Sequence, residues 1–184
     1  MKKILAFVVF SSLLVLFGCG KTPTSLDSNG EKITQKFETY ESKTHQFALQ
    51  FPDGREFQEN VYGSHVMFFT PLGKNDTLRE NIGIMKKETD QAYDLEDYYN
   101  LTKPELETNI PNFVEVSKET ISINGVEGHK LIYQGTQGDF KLQWQQNYFI
   151  KDTSVYIITY TATPKTFDEF ATQVDAMIAT LEIK

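Results

Sequence analysis

The sequence predicts an α+β domain in which an antiparallel β-sheet is flanked by helices on both faces, an α/β/α sandwich. Three observations carry this. Apolar and polar residues alternate through much of residues 37–163, several of these runs stop at Pro-, Gly- or Asn-Gly-containing turns, and two segments, 94–110 and 166–181, change to a spacing of three and four. Two of the strand-like runs are apolar on both sides, so the sheet needs cover on both faces.

Ahead of that domain, Lys2 and Lys3 precede an uncharged apolar run from Ile4 to Phe17, which leads into Gly18 and the only cysteine, Cys19. At about 1.5 Å per residue the run reaches roughly 21 Å as a helix, short of a ~30 Å hydrocarbon core, and so has the form of a secretory leader. Leu16-Phe17-Gly18-Cys19 resembles the lipobox of bacterial lipoproteins. That resemblance implies a diacylglyceryl thioether on Cys19, cleavage at its amino side, and recognition of Leu16, Phe17 and Gly18 by the processing enzymes. The competing reading is an inert cysteine packed in an uncleaved helix. Gly20 replaces the Asp that retains lipoproteins at an inner membrane, so the expected location is the cell membrane or outer membrane, lipid-anchored and extracytoplasmic. The expected organisation is a leader over 1–18, a lipidated cysteine and flexible tether over 19–36, and a globular domain over 37–184.

The chain carries 18 Lys+Arg and 25 Asp+Glu; removing the leader takes Lys2 and Lys3 and leaves 16 − 25 = −9. Such an acidic domain is a poor partner for nucleic acid, whose affinity comes from basic side chains on phosphates. One cysteine excludes an internal disulfide, so the core must hold the fold, with 13% aromatic residues to build it. From Gly20 to Lys36 only Leu26 and Ile33 are sizeable apolar groups. A coil of that length reaches roughly 20–25 Å.

Within the domain, Phe47, Leu49 and Phe51 alternate with polar or small residues until Pro52-Asp53-Gly54 stops the strand. Ser64–Thr70 carries apolar groups on both sides, as an interior strand does, and Asn81–Lys87 is a third strand after a polar loop at 73–77. Asp94 caps a helix over 94–110, with Leu95, Tyr98, Tyr99, Thr102 and Leu106 on one face, and Pro104 predicts a kink or two short helices. The cluster Asp90, Asp94, Glu96 and Asp97 lacks the order of a calcium loop and is read as helix capping. Thr120–Ile123, the turn Asn124-Gly125 and Val126–Tyr133 form a hairpin, and Gly135-Thr136-Gln137-Gly138 reads as the next turn. Phe140, Leu142, Trp144, Tyr148 and Ile150 recur at period two, interrupted only by Gln146. Lys151-Asp152-Thr153 turns into Ser154–Thr163, where Ile157 and Ile158 commit both faces, completing an antiparallel meander. Thr166 and Glu169 have capping-box spacing ahead of an amphipathic helix through Phe167, Phe170, Ala171, Val174, Met177, Ile178 and Leu181.

This order of strands and one interrupted helix, followed by Ile123-Asn124-Gly125-Val126-Glu127-Gly128-His129-Lys130-Leu131-Ile132-Tyr133, a long Trp-containing strand, Val155-Tyr156-Ile157-Ile158-Thr159-Tyr160-Thr161-Ala162 and a closing helix, resembles the PsbP-like fold over residues 37–184. The family takes in PsbP of photosystem II and DcrB-type envelope lipoproteins. The resemblance implies a sandwiched antiparallel sheet and action by docking on membrane complexes or proteins. It supplies no residue that maps onto a particular contact.

No catalytic constellation is present. His45, His65 and His129 have no ligand-pair spacing and are read as exposed strand or turn residues, a zinc site being the lesser alternative. Ser64 and His65 are strand neighbours pointing to opposite faces, so they are not nucleophile and base. The expected function is therefore a non-catalytic, lipid-anchored extracytoplasmic module that docks on a membrane or envelope protein complex, with no cofactor. Its partners would be the bilayer, through acylated Cys19, and an envelope or membrane protein. The alternative is a small-ligand or metal-binding carrier lipoprotein. Tyr62, Tyr93 and Phe113 are the aromatic candidates for a docking surface.

Overall fold

The computed structural model describes residues 24–26, 32–34, 36–73 and 78–184. The leader, Leu16, Phe17, Gly18 and Cys19 lie outside them, as do most of the tether and residues 74–77. Among the described residues no helix is long and apolar enough to cross a membrane. The chain divides into two units, residues 1–34 and 35–184. In the first, β1 (Thr24–Leu26) and β2 (Lys32–Thr34) pair antiparallel.

The second unit holds two antiparallel sheets and two helices. The small sheet contains β3 (Phe37–Ser42), β4 (Phe47–Pro52) and β12 (Glu182–Ile183), with β4 in the centre. The large sheet contains β5 (Phe57–Val61), β6 (Ser64–Phe69), β7 (Asn81–Glu88), β8 (Val114–Ile123), β9 (Val126–Gln137), β10 (Phe140–Lys151) and β11 (Ser154–Ala162). Its order is β5-β6-β7-β11-β10-β9-β8. Helix α1 (Leu95–Asn109) connects β7 to β8, and α2 (Phe167–Ile178) follows β11.

Side-chain alternation along β11 sorts the core into two layers. Tyr156, Ile158, Tyr160 and Ala162 pack with the apolar stripe of α2 and with Phe47, Leu49 and Phe51 of the small sheet. Val155 and Ile157 pack on the other face, with Tyr98 and Tyr99 of α1, Leu131 and Tyr133 of β9 and Trp144 and Tyr148 of β10. One face of the large sheet is thus closed by α2 and the small sheet together, the other by α1 alone.

Several local expectations change. Pro104 does not divide α1, which runs unbroken from Leu95 to Asn109. Both Pro104 and Asn100, whose carbonyl loses its helical donor, are exposed, so water satisfies the lost bond at little cost. Asp94 does cap α1, accepting from Asp97 N–H at 2.7 Å. The capping box of α2 does not form, because Thr166 makes no side-chain cap; its amide instead donates to Thr163 Oγ1 at 3.2 Å. Gly135-Thr136-Gln137 is not a turn but the end of β9, and the reversal falls at Gly138-Asp139. Glycine is required at 135 because a Cβ there would collide with Ile110 Cγ2.

The polar side of β10 also differs from a solvated one. Gln145 and Asn147 are each 1% exposed, between the sheet and α2. Gln145 donates to Asp175 Oδ1 of α2 at 2.7 Å, whereas neither polar atom of the Asn147 side chain has a hydrogen-bond partner. An unpaired buried amide costs about 1–3 kcal/mol, so Asn147→Leu should raise the unfolding free energy by an amount of that order. Chemical denaturation at neutral pH measures it, and an unchanged or lower midpoint contradicts this account.

Candidate functional site

Helix α1 packs over β8 to β11 and leaves the same face of β6 and β7 uncovered. The result is a groove of about 560 Å³ on the large sheet. Period-two alternation brings Met67 of β6, Met85 of β7 and Ile157 of β11 to its floor, beside Thr159, Thr161 and Gln146. Gln146, which interrupts the apolar run of β10, donates to Thr159 Oγ1 at 3.4 Å. Gly83 keeps the floor low: a Cβ there would stand 2.5 Å from Ser64 Oγ and 3.4 Å from Met67 Cε. No charged side chain lines the groove among the described residues.

The rim includes Tyr62-Gly63, the two-residue turn between β5 and β6. Both have positive φ, 50° and 80°, as a right-twisted hairpin requires. Glycine suits that geometry and tyrosine does not. Tyr62 is nevertheless 88% exposed, so no internal packing compensates the strain. The free edges of the sheet are poor templates for an added strand. In β5 the ladder skips Asn60, which has φ 55°, and in β8 a bulge displaces Val116 between Glu115 and Ser117. The open face, rather than an edge, is therefore the part of this sheet free to accept another surface.

The far side of the same face is locked. Tyr99 of α1 donates to Glu115 Oε2 at 2.6 Å, Lys103 pairs with Glu115 at 3.0 Å, and Lys118 lies over the Tyr99 ring at 3.9 Å while pairing with Glu96 at 2.7 Å. Burial acts to raise the Glu115 pKa, but the bonds from Tyr99 and Lys103 prevail and hold it below the usual carboxylate value. In the acidic cluster at the head of α1, Asp94 serves the cap and Glu96 the lysine. Among the described residues no three His, Cys, Asp or Glu side chains converge as a metal site does.

Of the histidines, the structure brings two together. His45 and His65 stack with ring centroids 3.4 Å apart and planes 16° from parallel, which directs their lone pairs side by side rather than toward one point. His129 is not the exposed strand residue expected from sequence. It is 5% exposed beneath α1, with Nδ1 3.0 Å from the Tyr148 hydroxyl. Burial lowers its pKa, as does Lys118, against the opposing pull of Glu96. Burial likewise lowers that of His45, helped by His65 and Lys86 and opposed by Glu59.

Of the aromatic candidates, only Tyr62 reaches the groove. Tyr93 is half-buried with its ring 6.2 Å from Tyr98, and Phe113 is half-buried 5.4 Å from Tyr133, so both belong to the α1 layer. The groove's other residues carry no sequence motif. They come from five strands and the loop at Leu78, and the strand positions read in sequence as ordinary core positions.

A profile of the family described as PsbP-like protein matches residues 3–183. Among solved structures, the chain is similar to cyanobacterial PsbP (CyanoP) of Synechocystis, with a TM-score of 0.61, 14% identity, and coverage of 92% of this chain and 99% of that one. It is similar to LpqN of Mycobacterium tuberculosis, a protein involved in cell envelope biogenesis, with a TM-score of 0.56, 13% identity, and coverage of 88% and 90%. The yeast Ran-binding protein Mog1p gives 0.55 at 9% identity over 81% and 96%. No curated protein matches the chain in sequence. At these identities the structural matches establish the fold.

Two outcomes follow from the site's strain and titration. Tyr62→Asn places a residue tolerant of positive φ in the turn and should raise stability by about 1 kcal/mol, read by thermal unfolding. Because His45 and His129 have folded pKa values below the ordinary ~6.5, their contribution is complete above that pH and is lost as pH falls through the folded values. The unfolding midpoint should therefore drop between about pH 7 and pH 5, and drop less in His129→Gln.

Proposed function

The chain belongs to the PsbP-like protein family, and from that membership we propose that it is a lipid-anchored extracytoplasmic module which docks, without catalysis, on a membrane or envelope protein complex. The observation that carries the reading is the groove: a broad, partly apolar stretch of sheet left open, with no charged side chain lining it among the described residues. An apolar floor with a hydroxyl and amide rim suits a partner surface bound by shape and hydrogen bonding. The leader and Cys19 support placing the module outside the cytosol, held by acyl chains that contribute roughly 0.8 kcal/mol per buried methylene. LpqN, a structural relative, takes part in envelope biogenesis, which agrees with this setting.

A second reading, a small-ligand carrier, is favoured by one observation. The groove volume of about 560 Å³ falls within the roughly 300–1,000 Å³ of small-molecule sites.

Site-specific photocrosslinking in native membranes separates these readings. A photoreactive residue at Tyr62 or Thr161 should give discrete protein adducts, while one at exposed Lys165 should not. Thr159→Arg, which places a charge on the groove floor, should weaken the adducts at least about tenfold, or ~1.4 kcal/mol, without lowering the unfolding midpoint. Equal labelling from all three positions removes the docking reading. Saturable uptake of a neutral small molecule, lost in Thr159→Arg, would favour the carrier.

A further inference from the structure

The stacked histidines lie where the two sheets of the domain meet. His45 belongs to the turn at 43–46 between β3 and β4, and His65 to β6 of the large sheet. Their hydrogen bonds fix which nitrogens carry protons. Lys86 O can only accept, so His65 Nε2, 3.1 Å away, carries a hydrogen and leaves Nδ1 as its basic nitrogen. Ser42 Oγ accepts from the His45 amide at 3.3 Å and lies 2.9 Å from His45 Nδ1, to which it can turn its own hydrogen. The Ser42 hydroxyl favours the neutral form of His45, and the two rings lie face to face. The only other side-chain tie from this turn to the large sheet among the described residues runs from Lys86 Nζ to Gln46 Oε1 at 3.0 Å.

We infer that the His45–His65 stack is a proton-operated latch: it holds the β3–β4 turn against β6 and β7 while both rings are neutral, and releases it once both are charged. The surroundings admit one proton more readily than two. From β7 the pair faces Lys86, itself paired with Glu88 at 2.9 Å and lying over the Tyr156 ring of β11. Glu59 of β5 is the anion opposing these charges, and it already accepts from the Tyr40 hydroxyl of β3 at 2.6 Å. Glu41 of β3 is engaged by Lys184 at 2.6 Å, and Lys43 in the turn adds further positive charge. A first imidazolium can share Glu59. A second would set two cations face to face at 3.4 Å beside Lys86, with no further anion to offset them.

Release would act on defined structure. Gln46 stands at φ 59° and its carbonyl accepts from Lys184 N–H at 2.9 Å, so the turn ties the chain terminus to β4 as well. On the other side, His65 directly follows Tyr62-Gly63-Ser64 on the groove rim. The latch needs no groove occupant, so its failure and the failure of the docking reading are separately observable.

The test is a histidine ring titration by NMR on the full-length chain in neutral detergent micelles, with hydrogen exchange of the backbone amides. In the wild type His45 should titrate below its ordinary value. Amides at 43–48, corrected for intrinsic rate, should exchange about tenfold faster near pH 5 than near pH 7.5, while those of β10 keep their protection. His65→Phe keeps a ring against His45 but removes one proton site, and His45→Gln removes the stack from the other side. In His65→Phe the His45 titration should move back toward its ordinary value, and in both variants the acid response at 43–48 should vanish. Titration of wild-type His45 at the ordinary value, or a tenfold acid response surviving in either variant, overturns the latch.

Discussion

Strand β11 is the constraint from which the architecture follows. It lies between β7 and β10, and its residues are apolar on both sides, with Val155 0% and Tyr156 1% exposed. A strand that buries both faces cannot sit at a solvent surface, so each side of the large sheet must be covered. The chain supplies two helices and one small sheet for this. On one side, α2 joins β3, β4 and β12 in a continuous layer around Phe47, Leu49 and Met177. On the other, α1 works alone. A helix with its side chains is about 10 Å wide, whereas strands are spaced about 4.8 Å apart, so one helix cannot cover all seven strands. The groove is the remainder of that mismatch: a consequence of topology before it is a property of its individual residues.

The elements visible in sequence are those whose local pattern and tertiary role coincide. β11, β10 and α2 have long periodic runs whose large apolar groups, apart from exposed Phe140, face the sheet's packed layers, so period alone finds them. β5 was not visible because Gln58, Glu59 and Asn60 at the sheet edge need no apolar alternation, and the two residues of β12 are too few to show a period. Gly135 misled for a different reason. It has the composition of a turn but serves a close approach to Ile110, a contact between segments 25 positions apart. The side chain of Thr166, the N-cap of α2, makes no cap bond, while Thr163 Oγ1, three positions earlier, accepts from the Thr166 amide in the turn that leads into the helix. Local chemistry names candidates for a cap, and the path of the backbone selects among them.

The site was less readable than the fold, and the reason is geometric. Met67, Met85, Ile157 and Thr159 are residues that any half-buried strand carries; what distinguishes them is the absence of a helix above them, which no local window records. The His45–His65 stack has the same character. The two residues are 20 positions apart, in a turn and a strand, and neither spacing nor neighbours reveal that a second sheet brings their rings together. Only Tyr62 carried a sequence hint, as a large aromatic beside glycine, and its positive φ and exposure explain why it stands out.

Charge is distributed in a way that bears on how such a surface works. The expected mature chain carries a net charge of −9, yet no ionised side chain lines the groove among the described residues. Charges are concentrated elsewhere: around Glu115, Lys103 and Lys118 beneath α1, around Lys130 and Asp175 beside α2, and around Lys86 and Glu88 at the latch. There they join secondary-structure elements and are largely paired within the domain. Long-range electrostatics then repel other anionic surfaces without guiding a partner into the groove. Recognition on the open face must rest on fit, apolar burial and neutral hydrogen bonds, which salt screens little. A weak, locally matched surface of this kind gains most when an anchor already holds the two parties near each other, because attachment to one membrane turns docking into an encounter at high effective concentration. On the proposed reading the lipobox-like motif and the groove are complementary: the first would supply the proximity that the second would need.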